Sequence, residues 1–191
     1  MILLYVVNNY GQFNHLITRA LRDLDIEATF IPNTTPALEV QSKCNGIILG
    51  GGPDLSRAGN CAEYLDLGLP VLGICLGLHI IASHFGVPVK SGEKGGYGAV
   101  PILRDVHEPC PEDALFRGYP DDFSVWASHA DEITALPAGF VRLATSAICQ
   151  YEAIGNASKN IYGVQWHPEV SHTEHGSLLF ENFYAIVRES Q

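Results

Sequence analysis

Cys75 stands two residues after one glycine and two before another, in Gly73-Ile74-Cys75-Leu76-Gly77. This is the thiol counterpart of a Gly-x-Ser-x-Gly elbow, in which a sharp strand-to-helix turn lifts a nucleophile out of the sheet. A thiol there also sits at a helix N-terminus, where free N–H groups stabilise negative charge. Far downstream comes His167-Pro168-Glu169. Pro168 forbids helix and favours an extended neighbour, and residues two apart on extended chain project to one side. A carboxylate beside an imidazole fixes its tautomer and leaves the other nitrogen free to work on a thiol. Cys75, His167 and Glu169 therefore supply the nucleophile, base and orienting acid of covalent catalysis. Each part also has a plainer reading: a buried structural cysteine for Cys75, a solvated loop for His167 and Glu169.

Gly50-Gly51-Gly52-Pro53 directly follows an apolar run. Glycines there let backbone N–H groups approach a ligand. The stretch lacks the Gly-Lys-Ser/Thr ending of a phosphate loop and the spacing of a dinucleotide fingerprint. The better reading is an oxyanion hole in which the Gly52 and Leu76 N–H groups face one developing charge; an ordinary Gly-Pro turn is the plain alternative. His167, Glu169, His172 and His175 invite a metal reading, but Pro168 and Gly176 break the regular spacing that ligands usually need, so no metal is expected. Trp126-Ala127-Ser128-His129-Ala130-Asp131-Glu132 reads, by residue type alone, as a strand end with a turn or cap.

The elements that must carry these residues alternate, strand then helix, as in βαβ units with a mostly parallel sheet. Strands are expected at Ile2 to Val7, Ala28 to Ile31, Gly46 to Leu49 and Val71 to Ile74. Helices are expected over the Leu16–Leu24 face, Pro36 to Lys43, Cys61 to Leu67 and Leu76 to Phe85. After Gly86 the pattern changes. Val87 to Lys90 is short and strand-like, and Ser91 to Gly98 is Gly-rich and reads as a loop. Ala99 to Leu103, Phe123 to Ala127, Val141 to Ser146 and Ile161 to Trp166 are strands without long helices between them, and such strands usually pair antiparallel. A helix over Gly176 to Glu189 packs back on the sheet. The expected fold is thus α/β: an open, mostly parallel sheet flanked by helices, with added antiparallel strands in the C-terminal half.

The 191 residues suggest one domain, 1–191, long enough for a full core. The hydrophobic fraction of 47% and charged fraction of 17% fit a compact soluble chain. No apolar run is long enough to span a bilayer, and Met1 to Val7 lacks the features of a signal peptide. Five cysteines without a Cys-x-x-Cys pair point to a reducing cytoplasm. A net charge of −10 argues against a nucleic-acid surface.

The Cys75 elbow, His167-Pro168-Glu169 and Gly51-Gly52-Pro53, in this order, resemble the class I (triad-type) glutamine amidotransferases, flavodoxin-like in fold. The resemblance covers essentially the whole chain. Ser128-His129-Ala130-Asp131 and the run from Tyr162 to Thr173 are similar to the glutaminases of GMP synthases in particular. The resemblance implies that Cys75 attacks the side-chain amide of glutamine, that Gly52 and Leu76 hold the oxyanion, and that Glu169 orients His167. It implies that the backbone of Ser128, His129 and Ala130 binds the α-carboxylate. His79 occupies a position where the family commonly has a substrate-holding Gln, and so is expected to bind substrate. No stretch of the Ser-Gly-Gly-x-Asp-Ser type follows before Gln191, so the resemblance implies a separate partner: a GMP synthetase ATP-pyrophosphatase subunit carrying ATP and Mg2+. The chain itself is expected to need no cofactor, and His129 and Asp131 are candidates for the partner contact. An ammonia supply to another synthase, of the anthranilate type, and a non-catalytic subunit of the same fold are the rival readings.

Overall fold

The computed structural model describes residues 2–105 and 110–191. A nine-stranded sheet runs in the order β2-β1-β3-β4-β9-β8-β7-β5-β6. Its strands are β1 (Leu4–Asn8), β2 (Ala28–Pro32), β3 (Gly46–Leu49), β4 (Val71–Ile74), β5 (Val89–Arg104), β6 (Asp122–Ile133), β7 (Val141–Thr145), β8 (Ala153–Asn156) and β9 (Ile161–Val164). The helices are α1 (Asn14–Asp23), α2 (Ala37–Lys43), α3 (Cys61–Tyr64), α4 (Leu76–His84) and α5 (Gly176–Glu189). Strands β2, β1, β3, β4 and β9 pair parallel, and β9-β8-β7-β5-β6 continue antiparallel. The α/β class and the mixed sheet are as the sequence suggests.

Strands β1, β3, β4 and β9 are apolar with little alternation because both of their faces are covered, whereas the edge strand β2 is largely exposed. Leu4, Val6, Ile48, Leu72 and Val164 point into one core with Ile17 and Leu21 of α1 and Leu179, Phe180 and Phe183 of α5. Tyr5, Val7, Ile47, Leu49 and Val71 point into the other with Val40 of α2, Tyr64 of α3 and Leu78 and Ile81 of α4. Every residue of α4 from Leu76 to Ala82 is buried, as expected of a helix apolar all round.

Several expectations need correction. Ser91 to Gly98 is not a loop: β5 runs through it, paired with β6, with a register shift between Ser91 and Gly96. Positive φ at Gly95 falls within the irregularity, so glycines that suggest a loop serve a bulged strand. Ser128 to Asp131 is likewise no strand end, since β6 continues to Ile133 against the same partner. Strand β9 does not pair antiparallel only; it lies parallel to β4 on one side and antiparallel to β8 on the other. Strand β8, Ala153-Ile154-Gly155-Asn156, has too little β-propensity to be seen in the sequence, yet all of it is buried between β7 and β9. The Cys61 helix is one turn rather than two.

Glu152, just before β8, is fully buried; its Oε1 accepts from Ser146 Oγ at 2.7 Å, and Oε2 has no partner among the described residues. Burial lifts its carboxyl from 4.5 to about 7. A raised carboxyl binds its proton more tightly folded than unfolded, so wild-type stability falls as pH climbs from about 4.5 to about 7. Glu152→Gln, which never ionises, is therefore expected to gain on the wild type across that window, by on the order of 3 kcal/mol. Urea denaturation of both proteins at pH 5 and pH 8 measures the difference; no change in their relative stability between the two would contradict the assignment.

Candidate active site

Three neighbouring parallel strands deliver three segments to one end of the sheet. Strand β4 sits between β3 and β9, with Leu49 beside Gly73 and Val164 beside Ile74. Past their carboxyl ends lie the Gly50–Gly52 stretch, Cys75, and the Gln165–Glu169 turn. Ligands of open α/β sheets bind at this end.

Cys75 has φ +53° and ψ −103°, a strained backbone for a residue with a side chain. Its N–H donates to Val164 O at 2.8 Å, and its carbonyl accepts from the Leu78 and His79 N–H groups of the first turn of α4. The flanking glycines are needed for space. A Cβ on Gly73 would stand 2.5 Å from the Gly77 carbonyl, and one on Gly77 would strike the Leu49 carbonyl. The elbow is therefore as expected, and Cys75 is buried, at 6% exposure.

His167 and Glu169 meet, Nδ1 to Oε1, at 2.8 Å. They do so on a tight turn rather than an extended segment: the Val170 N–H bonds back to the His167 carbonyl at 3.3 Å. The turn is tied down by its neighbours. His167 N–H donates to Trp126 O at 3.0 Å, and Thr173 Oγ1 donates to His167 O at 2.7 Å. The Phe13 ring meets the imidazole edge-on at 5.0 Å. Burial disfavours charge on His167, but its hydrogen bonds to Cys75 and Glu169 prevail and lift its pKa to about 10. Imidazolium held on the Glu169 carboxylate and facing Cys75 is the state this arrangement favours.

Gly51 ties the two halves together. A Cβ built on it would lie 3.2 Å from His167 Cε1 and 3.8 Å from Cys75 Cβ. A Cβ on Gly52 would strike the Asn9 carbonyl and stand 2.5 Å from Leu76 Cδ2. Neither the Gly52 nor the Leu76 N–H has an acceptor among the described residues, which leaves both free for a ligand oxygen. A cavity of about 250 Å³ opens here, lined by Tyr10, Phe13, Gly52, Cys75, Ser128 and His167 among others. It has room for an amino acid and is smaller than the roughly 300–1,000 Å³ of sites for drug-sized ligands. A wider concavity of about 650 Å³ along α1, beside His15, Arg19 and Arg22, lies away from these strand ends.

Of the other candidates, Ser128 lines the cavity and Ala130 is exposed. His129 is buried, its Nδ1 on Asp131 O at 3.0 Å and its Nε2 without a partner among the described residues. Burial, with His79 and His167 nearby, lowers it to about 4. Its ring is thus closed to a partner protein, whereas Asp131 is exposed and accepts from Ser91 Oγ at 3.0 Å. His172 lies tilted against Trp126 and His175 meets Tyr119 edge-on, and among the described residues no three His, Cys, Asp or Glu side chains are placed to hold a metal ion.

His79 does not line the cavity. It is buried behind it, with Nε2 2.8 Å from Gln165 Oε1, and Gln165 Nε2 reaches 3.9 Å from Cys75 Sγ. Burial lowers the pKa of His79, so the neutral ring donates through Nε2 and the amide of Gln165 faces the sulfur. Gln165 is the residue that sequence reasoning missed. Its signal was there: a polar side chain inside an otherwise apolar run ending at Trp166. His79→Ala would strand the Gln165 carbonyl in a dry interior, which costs about 1–3 kcal/mol. We expect that loss in urea denaturation together with lower turnover, and recovery of both by His79→Gln, which can still donate. A stable, fully active His79→Ala would contradict the relay.

The family model described as glutamine amidotransferase class-I matches residues 5–187. The chain is 63% identical to a glutamine-hydrolyzing GMP synthase subunit of Methanospirillum hungatei, over 97% of this chain and 96% of that one. It is 61% identical to the protein of the same name from Methanoregula boonei, over 99% and 100%. Among solved structures, a provisionally assigned GMP synthase subunit from Thermoplasma acidophilum superposes with a TM-score of 0.91 at 35% identity, covering 99% of this chain and 95% of that one. With this sheet order, and with a match across nearly its whole described length, the chain belongs to the class I glutamine amidotransferase family.

Proposed function

We propose that the chain is the glutaminase subunit of a GMP synthase. The observation that carries this is the convergence of Cys75, the His167–Glu169 pair and two N–H groups without acceptors among the described residues on one amino-acid-sized cavity. The names of its high-identity relatives supply the synthase. In this reading Cys75 Sγ attacks the side-chain amide carbon of glutamine. The oxygen of the tetrahedral intermediate takes the N–H groups of Gly52 and Leu76. His167 passes its proton to the departing nitrogen, the C–N bond breaks, and ammonia leaves a glutamyl thioester on Cys75. His167 then takes a proton from water, whose oxygen attacks the thioester, and glutamate departs as Sγ recovers. Glu169 holds the ring and its charge throughout. The backbone beside Ser128 and Ala130 is the proposed seat of the α-carboxylate. His79 acts through Gln165 and not on the substrate.

Ammonia is useful only if delivered, so the proposal includes a separate GMP synthetase subunit that binds ATP, Mg2+ and XMP, with Asp131 near the shared border. The described cysteines are free thiols, which suits the reducing cytoplasm. The test is glutamate release from glutamine by the purified chain, alone and with the synthetase subunit loaded with ATP and XMP. Release that rises several-fold with the loaded partner supports the reading. Release indifferent to the partner moves the chain to another synthase, and no release in either condition ends the glutaminase reading.

A further inference from the structure

The Gly51–Gly52 peptide is gripped from behind. Its carbonyl accepts two hydrogen bonds, from Gly11 N–H at 3.0 Å and from Asn14 Nδ2 at 2.9 Å. A trans peptide carries its C=O and N–H on opposite sides, and no peptide bond here is cis. A carbonyl drawn toward Gly11 and Asn14 therefore turns the Gly52 N–H the other way, into the cavity beside Cys75 and Leu76. Were this peptide to rotate by half a turn, it would present a carbonyl oxygen to the developing oxyanion and repel it.

Asn14 is built for the grip. It is the first residue of α1 and is 2% exposed. Its Nδ2 also donates to Asn8 Oδ1 at 3.3 Å; both partners are acceptors, so the amide has one orientation. Its Oδ1 lies 2.7 Å from where a Cβ of Gly50 would stand and has no partner among the described residues. Gly50 therefore leaves room for the Asn14 side chain to lie along the stretch it holds. One carbonyl further back, Asn9 Nδ2 donates to Gly50 O at 3.0 Å.

We propose that Asn14 is a positioning residue of the reaction, locking the Gly51–Gly52 peptide in the orientation that aims the Gly52 N–H at the oxyanion. This rests on the glutaminase reading above. It touches neither substrate nor sulfur, so removing it should leave thiol and substrate binding intact and weaken only oxyanion stabilisation.

The test uses Asn14→Ala, which removes the donor, and Asn14→Asp, which keeps the shape and sets an acceptor against the carbonyl. Each is compared with the wild-type chain in complex with its synthetase partner. We expect kcat for glutamate release to fall by about 10- to 100-fold, less than the roughly 10²–10³ for losing an oxyanion donor outright. KM should stay within about twofold, and Cys75 should react with iodoacetamide at the wild-type rate. The affinity of glutamate γ-semialdehyde, whose thiohemiacetal oxygen occupies the same hole, should drop by the same factor as kcat. Unchanged kcat in a folded variant overturns the proposal. So does a loss of kcat matched by an equal loss of thiol reactivity, or failure of both variants to fold, because the role is then structural. A wild-type chain that releases no glutamate would instead remove the glutaminase reading itself.

Discussion

Cys75→Ala is expected to cut glutamate release from glutamine by at least about 10⁴-fold, to background, since no other group here can form the thioester. The same complex should still make GMP from added ammonia, because the partner's chemistry needs ammonia and not the thiol. The change keeps the Cβ, so the positive φ at residue 75 is no harder to hold, and the melting temperature should stay near that of the wild type. Glutamine-dependent and ammonia-dependent synthesis, measured on one preparation, separate the two activities. Glutamine-dependent synthesis that survives the change would contradict the mechanism.

The second large effect is expected from Gly52→Ala. Its Cβ would strike the Asn9 carbonyl and crowd Leu76 Cδ2, and the Asn9 side chain is itself fixed by Asn33 Nδ2 at 3.1 Å and Cys61 Sγ at 3.2 Å. Asn9 cannot yield, so the glycine stretch must move off the cavity. Loss of its N–H from the oxyanion should lower kcat by roughly 10²–10³, equivalent to about 3–4 kcal/mol in the barrier. Thiol alkylation at Cys75 should hardly change, because sulfur, His167 and Glu169 stay in place. Stopped-flow turnover beside iodoacetamide kinetics distinguishes this from general damage. If kcat held, the oxyanion would have to be bound elsewhere.

The nucleophile, its base and the oxyanion glycines were legible because each breaks the local pattern. Gly73 and Gly77 interrupt an apolar run for which packing alone would supply alanines, and Pro168 stops a strand beside a histidine. The parallel strands were legible because β1, β3 and β4 are apolar on both faces. Other features depend on distant pairing. Ser91 to Gly98 becomes strand only because β6 lies beside it, and Ala153 to Asn156 only because β7 and β9 enclose it. His79 shows the same limit at the site. Its position in the Cys75 motif suggests contact with substrate, but its Nε2 is taken by Gln165, a residue 86 positions away. Asn14 is silent in the sequence for the same reason, since the carbonyl it holds lies 37 positions on.

The central claim is that Cys75 alone among five cysteines attacks a bound glutamine. The other four are poorly placed to react. Burial pushes Cys44 up to about 11 and Cys61 up to about 12, and raises Cys149 and Cys110 as well. The most direct measurement is peptide mass mapping after treatment with a chloroketone analogue of glutamine, with and without excess glutamine. One label is expected, on Cys75, suppressed by glutamine and absent from His167→Ala at neutral pH. A label on another cysteine, or one on Cys75 that glutamine does not suppress, would contradict it.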